Sequence, residues 1–158
     1  LEIQKEKKLD SRYIFSKKEK LENYFKPAVI TPYLKEDLGI IERCHESCLT
    51  QTRKVNHFIV ADGNTNNAID SWDTNHIILS NSHNDYGNTP RGIGAMSAIN
   101  LGFNVVFFLD ADHWFEKDHV ESILRMKTEM PFLDIAASYR NFVLPEGICV
   151  EQDADDHE

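Results

Sequence analysis

The sequence predicts an α/β layer fold built around a mostly parallel sheet. Two observations carry the prediction. Short, continuously apolar runs such as residues 105–109 alternate with amphipathic stretches of helical length, and uninterrupted apolar strands are typical of parallel sheets covered on both faces. Composition agrees. A chain of 158 residues, 41% hydrophobic and 27% charged, is globular in type and long enough to bury about 68–70% of its unfolded surface in one core.

Taken in order, residues 1–26 hold eight basic and five acidic side chains, while the remaining 132 residues carry a net charge of −12. Ile3, Leu9, Tyr13, Leu21 and Phe25 fall at loose helical spacing among lysines. The stretch reads as an amphipathic helix ending before Lys26-Pro27, since proline pushes its predecessor out of the α region. Such a helix could touch a membrane surface or a partner. The expectation is instead a solvated linker, with residues 27–158 forming the folded domain.

Ala28-Val29-Ile30-Thr31 reads as the first strand, and 36–51 as a helix with Leu38, Ile41, Cys48 and Leu49 on its apolar face. Residues 57–61 and 75–80 are the next strands. A helix over 90–101 opens on Pro90, which a first turn tolerates because no N–H is needed there. Residues 104–109 form the most apolar strand, 117–129 a third helix, and 133–138 a last core strand. Residues 142–150 read as a hairpin folded about Pro145-Glu146-Gly147, and 151–158 as an acidic tail.

Several function classes drop out. Seventeen basic against 26 acidic residues give a formal charge of −9, which argues against a nucleic-acid backbone binder. Cys44, Cys48 and Cys149 cannot close a disulfide framework, so a reducing, cytoplasmic setting is expected. Cys44 and Cys48, one helical turn apart around His45, read as helix packing rather than a zinc site. No apolar run approaches the roughly 20 residues of a membrane helix, and the charged start does not resemble a signal peptide. The chain opens on Leu1 rather than Met, and a piece of a longer protein is expected.

In open α/β sheets, ligands bind outside the carboxyl ends of the strands. The first strand ends in Thr31-Pro32-Tyr33, with Glu36 opening the next helix. The second ends in Asp62-Gly63-Asn64, and the fourth in Asp110-Ala111-Asp112. Asp110 and Asp112, two apart in an extended run, can face one way. At about 5 Å they would repel by roughly 3 kcal/mol at an effective dielectric near 20, a penalty that a divalent cation removes. Oxygen ligands suit Mg²⁺ or Mn²⁺. His113 is read as flanking that region rather than ligating. Residues 85–95 form a glycine-bearing loop and helix start that offers N–H groups to an anion. Arg91 stands in its first turn against the helix dipole, which calls for an acidic partner or a ligand. The glycines do not spell G-x-G-x-x-G, so a dinucleotide site is a weak reading.

Val29-Ile30-Thr31-Pro32-Tyr33, the strand ending in Asp62-Gly63, the helix start from Gly87 to Ala95 and Phe107-Phe108-Leu109-Asp110-Ala111-Asp112 occur in that order. Together, over residues 27–130, they resemble the family 2 glycosyltransferases of the GT-A fold. The resemblance implies a Rossmann-like sandwich that takes a nucleotide-diphosphate sugar, UDP- or GDP-linked, and transfers the sugar to a glycan or other hydroxyl acceptor. It implies that Pro32, Tyr33 and Glu36 line the nucleoside pocket, with Thr31 and Ala111 also among the nucleotide-sugar-binding residues. Asp62 would contact the base, and Arg91 the base or phosphates. Asp110 would address the ribose or the metal, and Asp112 the Mn²⁺ or Mg²⁺ that bridges the diphosphate. In similar enzymes the catalytic base is an Asp or Glu well downstream, and here 46 residues follow Asp112. Glu151 and Asp153 are the candidates within this chain; the base and part of the acceptor half are expected to be missing. The alternative is a non-catalytic or incomplete nucleotide-sugar-binding module that needs further sequence or a partner. A haloacid-dehalogenase-type phosphatase fits less well, because His113-Trp114 follows the second Asp and the motif lies deep in the chain. A nucleotidyltransferase would carry a Gly-rich basic loop where Leu34-Lys35-Glu36-Asp37 stands.

Overall fold

Every residue of the run Pro27–Tyr33 is buried, and this run is an interior strand of the sheet. The computed structural model describes residues 24–144 together with Gly147, Cys149 and Val150. Strands β1 (Pro27–Tyr33), β2 (Asn56–Asp62), β3 (Asn75–Leu79) and β4 (Val105–Phe108) pair in parallel in the order β3-β2-β1-β4. Helices α1 (Leu38–Leu49), α2 (Asn88–Asn100) and α3 (His119–Glu129) lie between and after them. A 3₁₀ turn spans Asn67–Ser71. The chain steps outward from β1 to β3, then returns through α2 to place β4 on the other side of β1. That reversal of strand order, between β1 and β4, is where such sheets open a crevice at their carboxyl ends.

Alternation along the strands sorts the core into two layers. Val29 and Phe107 pack with Cys44, Cys48, Val120 and Leu124 of α1 and α3. Ala28, Ile30, Phe58 and Val60 pack with Ala98 of α2 on the opposite face. Gly94 allows α2 to approach closely, since a Cβ there would lie 2.5 Å from Ile30 Cγ2 and 3.0 Å from Val60 Cγ2. The buried face of α1 is Ile41, Cys44, His45, Ser47 and Cys48. Leu49, expected inside, is exposed, because a 3.6-residue period carries the stripe through 41, 44, 45 and 48 and leaves 49 beside it. Both described α1 cysteines are free and buried.

The segment 133–138 is not a strand. Phe132, Ile135 and Tyr139 are among the most exposed large side chains. An apolar run becomes a strand only where a neighbouring edge accepts its backbone hydrogen bonds, and among the described residues β4 pairs only with β1. The expected hairpin does form, with Phe142–Val143 (β5) antiparallel to Cys149–Val150 (β6). At the other end, Phe25 joins the core. Asn104 accepts from Lys26 N at 2.7 Å and donates to Tyr24 O at 2.9 Å, so the folded body begins before Pro27. The rest of the expected N-terminal helix, and the acidic tail, lie outside the described residues. Among the described residues, no helix is long and apolar enough to cross a membrane.

Candidate active site

β4 ends at Phe108, Leu109 N still donates to Ile30 O, and the chain then turns. The turn Asp110-Ala111-Asp112-His113 is closed by His113 N donating to Asp110 O at 3.0 Å. Ala111 is buried beneath it, whereas Asp110 and Asp112 are exposed and His113 is half-exposed. A ligating atom from each of Asp110, Asp112 and His113 lies within 4.8 Å of the others. His113 Nδ1 is 3.0 Å from Asp112 Oδ1 and 3.8 Å from Asp110 Oδ2. The carboxylates therefore converge through a turn and not through strand alternation, and the same turn brings in the imidazole that was expected only to flank them. Two carboxylates and one imidazole form a donor set that suits Mn²⁺, and Mg²⁺ through the oxygens.

Arg91 supplies the nearest fixed cation. Its Nη2 pairs with Asp110 Oδ1, and its Nη1 donates to Tyr86 O at 2.7 Å. This acidic partner explains a cation in the first turn of α2. The helix start is less open to an anion than its sequence suggests. Asp85 Oδ2 accepts from Thr89 N at 2.8 Å and Thr89 Oγ1 at 2.6 Å, and the Thr89 hydroxyl is the main reason that the Asp85 carboxyl is held below its ordinary range. Gly87 adopts φ +80°, and a Cβ there would lie 3.0 Å from Arg91 Nη1 and 3.2 Å from Pro32 Cγ. Glycine thus keeps α2, Arg91 and the end of β1 together.

Asp62 ends β2 with only 4% exposure. Its Oδ1 is 2.6 Å from His83 Nδ1, and its Oδ2 accepts from His83 N at 3.1 Å and from Ser82 Oγ at 3.4 Å. Gly63, at φ +85°, has no room for a side chain, since a Cβ would meet Ser82 N at 2.3 Å. Residues 82–91 thus touch Asp62 at one end and Asp110 at the other, along a single edge of the sheet.

Other expected residues divide by strand face. Pro32 lies near Gly87, on the α2 side. Thr31 faces the opposite layer and is fully buried. Its Oγ1 lies 2.8 Å from His57 Nε2 and 3.7 Å from Cys44 Sγ, so its hydroxyl does not reach the rim. Tyr33 is also buried, with its hydroxyl 2.9 Å from His76 Nε2. Glu36 Oε2 accepts from Leu34 N at 2.7 Å and Lys35 N at 3.0 Å, shaping the turn after β1. Glu151 and Asp153 lie outside the described residues. Cys44 and Cys48 are buried, and burial raises the Cys44 pKa to about 11 and that of Cys48 further.

One set of residues was missed. Arg43, Ser47 and Gln51, four apart along one side of α1 and just beyond its end, hold the chain that leaves the acidic turn. Arg43 Nη2 donates to Asp112 O at 3.1 Å and its guanidinium lies 4.3 Å from the Trp114 ring centroid. Ser47 Oγ accepts from Phe115 N at 3.1 Å, and Gln51 Nε2 donates to Glu116 O at 2.7 Å. Gln51 Oε1 accepts from Val120 N at 3.1 Å, satisfying a free donor at the start of α3. A polar stripe at four-residue spacing beside an apolar one was the available signal.

A family profile described as "Glycosyl transferase family 2" matches residues 28–143. A comparison with curated proteins gives no match. Among solved structures, the chain is similar to S. aureus TarS, with a TM-score of 0.54 and 17% identity, covering 75% of this chain and 21% of that one. It is also similar to S. aureus TarS 1-349 in complex with UDP, with a TM-score of 0.52 and 19% identity, covering 66% of this chain and 32% of that one. The chain thus spans about a third or less of those structures, which share its GT-A architecture of a parallel sheet between helical layers. Matched over most of its length, the chain belongs to glycosyl transferase family 2.

Proposed function

We propose that this chain carries the nucleotide-sugar-binding part of a metal-dependent glycosyltransferase. The observation that carries the reading is the Asp110-Asp112-His113 cluster, paired with Arg91 and placed beside the strand-order reversal. Asp110, Asp112 and His113 would hold Mn²⁺ or Mg²⁺. When bound, such an ion neutralises charge on the diphosphate as the glycosidic bond breaks. Arg91 adds a second positive group toward the phosphates, which matters in a chain of net charge −9. Pro32 and Tyr33 at the end of β1 and Glu36 in the turn after it would border the nucleoside, Asp62 with His83 beside it would border the base from β2, and Ala111 underlies the acidic turn. Thr31 supports this edge from within the core. UDP is the first donor nucleotide to try, because a TarS structure similar to this chain is a UDP complex; a GDP-linked donor is the comparison. The acceptor is a hydroxyl, whose proton needs a general base.

A second reading, a binding module that turns over only with further sequence or a partner, is favoured by the 21–32% of the TarS chains that this chain spans. Multiple-turnover transfer by residues 1–158 alone would exclude it. Calorimetry tests the main reading. UDP should bind with Mn²⁺, and Asp112→Asn should weaken that binding at least tenfold, or about 1.4 kcal/mol. Equal affinity with and without metal, or an unaffected variant, would count against the assignment.

A further inference from the structure

Beneath the rim, four groups stand in line: the Asn66 amide, the Tyr33 hydroxyl, the His76 imidazole and the Asp70 carboxylate. Asn66 N donates to Tyr33 Oη at 2.9 Å, Tyr33 Oη lies 2.9 Å from His76 Nε2, and His76 Nδ1 lies 2.7 Å from Asp70 Oδ1. The two ends fix the direction of the two outer bonds. A backbone amide can only donate, and a carboxylate can only accept. Tyr33 Oη therefore accepts from Asn66 N, His76 Nδ1–H donates to Asp70, and the Tyr33–His76 contact joins the two. Tyr33 and the His76 side chain are 4% and 5% exposed, so no solvent replaces a lost partner. Asp70, which holds the Nδ1 end of the ring, has a side chain that is 56% exposed.

The line joins two loops. Tyr33 closes β1 and leads into the Leu34–Glu36 turn, and Asn66 follows the Asp62-Gly63 end of β2. A second tie between these loops, Asn64 Nδ2 donating to Leu34 O at 2.8 Å, is exposed. We infer that Asp70 and His76 are positioning residues for the nucleoside. Through Tyr33 Oη they set the spacing between the loop that carries Pro32–Glu36 and the loop that carries Asp62. Recognition of the nucleoside portion, and not of the diphosphate, then depends on the Tyr33–His76–Asp70 line staying intact. The inference rests on the nucleoside-diphosphate reading of this edge.

The test titrates the full chain, with Mn²⁺ present, against UDP and separately against inorganic pyrophosphate. Asp70→Ala removes the acceptor for Nδ1–H at an exposed position. It should weaken UDP binding about three- to tenfold, the usual worth of one hydrogen bond, and leave pyrophosphate binding unchanged. Asp70→Asn keeps an acceptor oxygen and should restore most of the affinity. In a Tyr33→Phe background, Asp70→Ala should have no further effect. Wild-type UDP affinity in Asp70→Ala, or equal losses for UDP and pyrophosphate, would overturn the inference alone. A wild-type chain that binds neither probe with Mn²⁺ would overturn the site reading as well.

Discussion

His57 is 2% exposed on β2, between Thr31 Oγ1 at 2.8 Å and His45 Nδ1 at 2.9 Å. The His45 ring stacks on His57 and on Trp72, with centroids 5.1 Å apart in each case. Burial holds the His57 pKa down to about 3, from an ordinary 6.5, and also lowers that of His45. Below pH 6.5 the unfolded chain binds a proton that the folded chain refuses, so stability falls as pH drops from 6.5 toward 3. For His57 alone the loss at pH 5 is about 2 kcal/mol. Urea unfolding at pH 7.5 and pH 5 should show that drop, and His57→Leu should shrink it by a similar amount; identical pH dependence in both proteins would contradict the argument. At this scale the position of Asp110 and Asp112 at a strand end was legible, because both directly follow the apolar run 105–109. Thr31 was not. Every position of β1 is buried, so its sequence has no polar alternation to show which face Thr31 takes. His113, expected to flank this region, comes within 3.0–3.8 Å of both carboxylates through a turn that spacing alone does not reveal.

Helices and strands were more legible than what covers them. The four sheet strands and three helices were anticipated within a few residues, since each has a clear apolar period bounded by turn or proline signals. The strand expected at 133–138 shows the limit: apolar content predicts burial, but burial needs a partner surface that sequence does not display. Two substitutions measure the contrast. Gly94→Ala pushes a methyl group against Ile30 and Val60. It should cost about 1–3 kcal/mol from overpacking, offset by up to about 1 kcal/mol of improved helix propensity. Ile135→Asp, at a position 84% exposed, should change stability by no more than about 0.5 kcal/mol. Denaturant midpoints that showed the reverse order would mean that residue 94 faces solvent and residue 135 the core. The polar stripe of α1 belongs to this scale too, since it fixes the segment after the acidic turn to a helix already anchored in the core by Cys44 and Cys48.

Across the whole molecule, strand order does what no single motif does. Placing β4 beside β1, with β2 on the other side, sets Asp110, Tyr33 and Asp62 along one edge of the sheet. The 82–91 segment then bridges from Asp62 to Asp110. An acidic chain can hold a nucleoside diphosphate there if the negative turn at 110–113 is converted by a cation into a positive surface, with Arg91 beside it. Crystals grown with Mn²⁺ and UDP, measured at the manganese absorption edge, test that conversion most directly. The account predicts an anomalous peak within bonding distance of Asp110, Asp112 or His113 and in contact with the diphosphate. Manganese bound elsewhere, or UDP seated on this edge with no metal beside it, would contradict it.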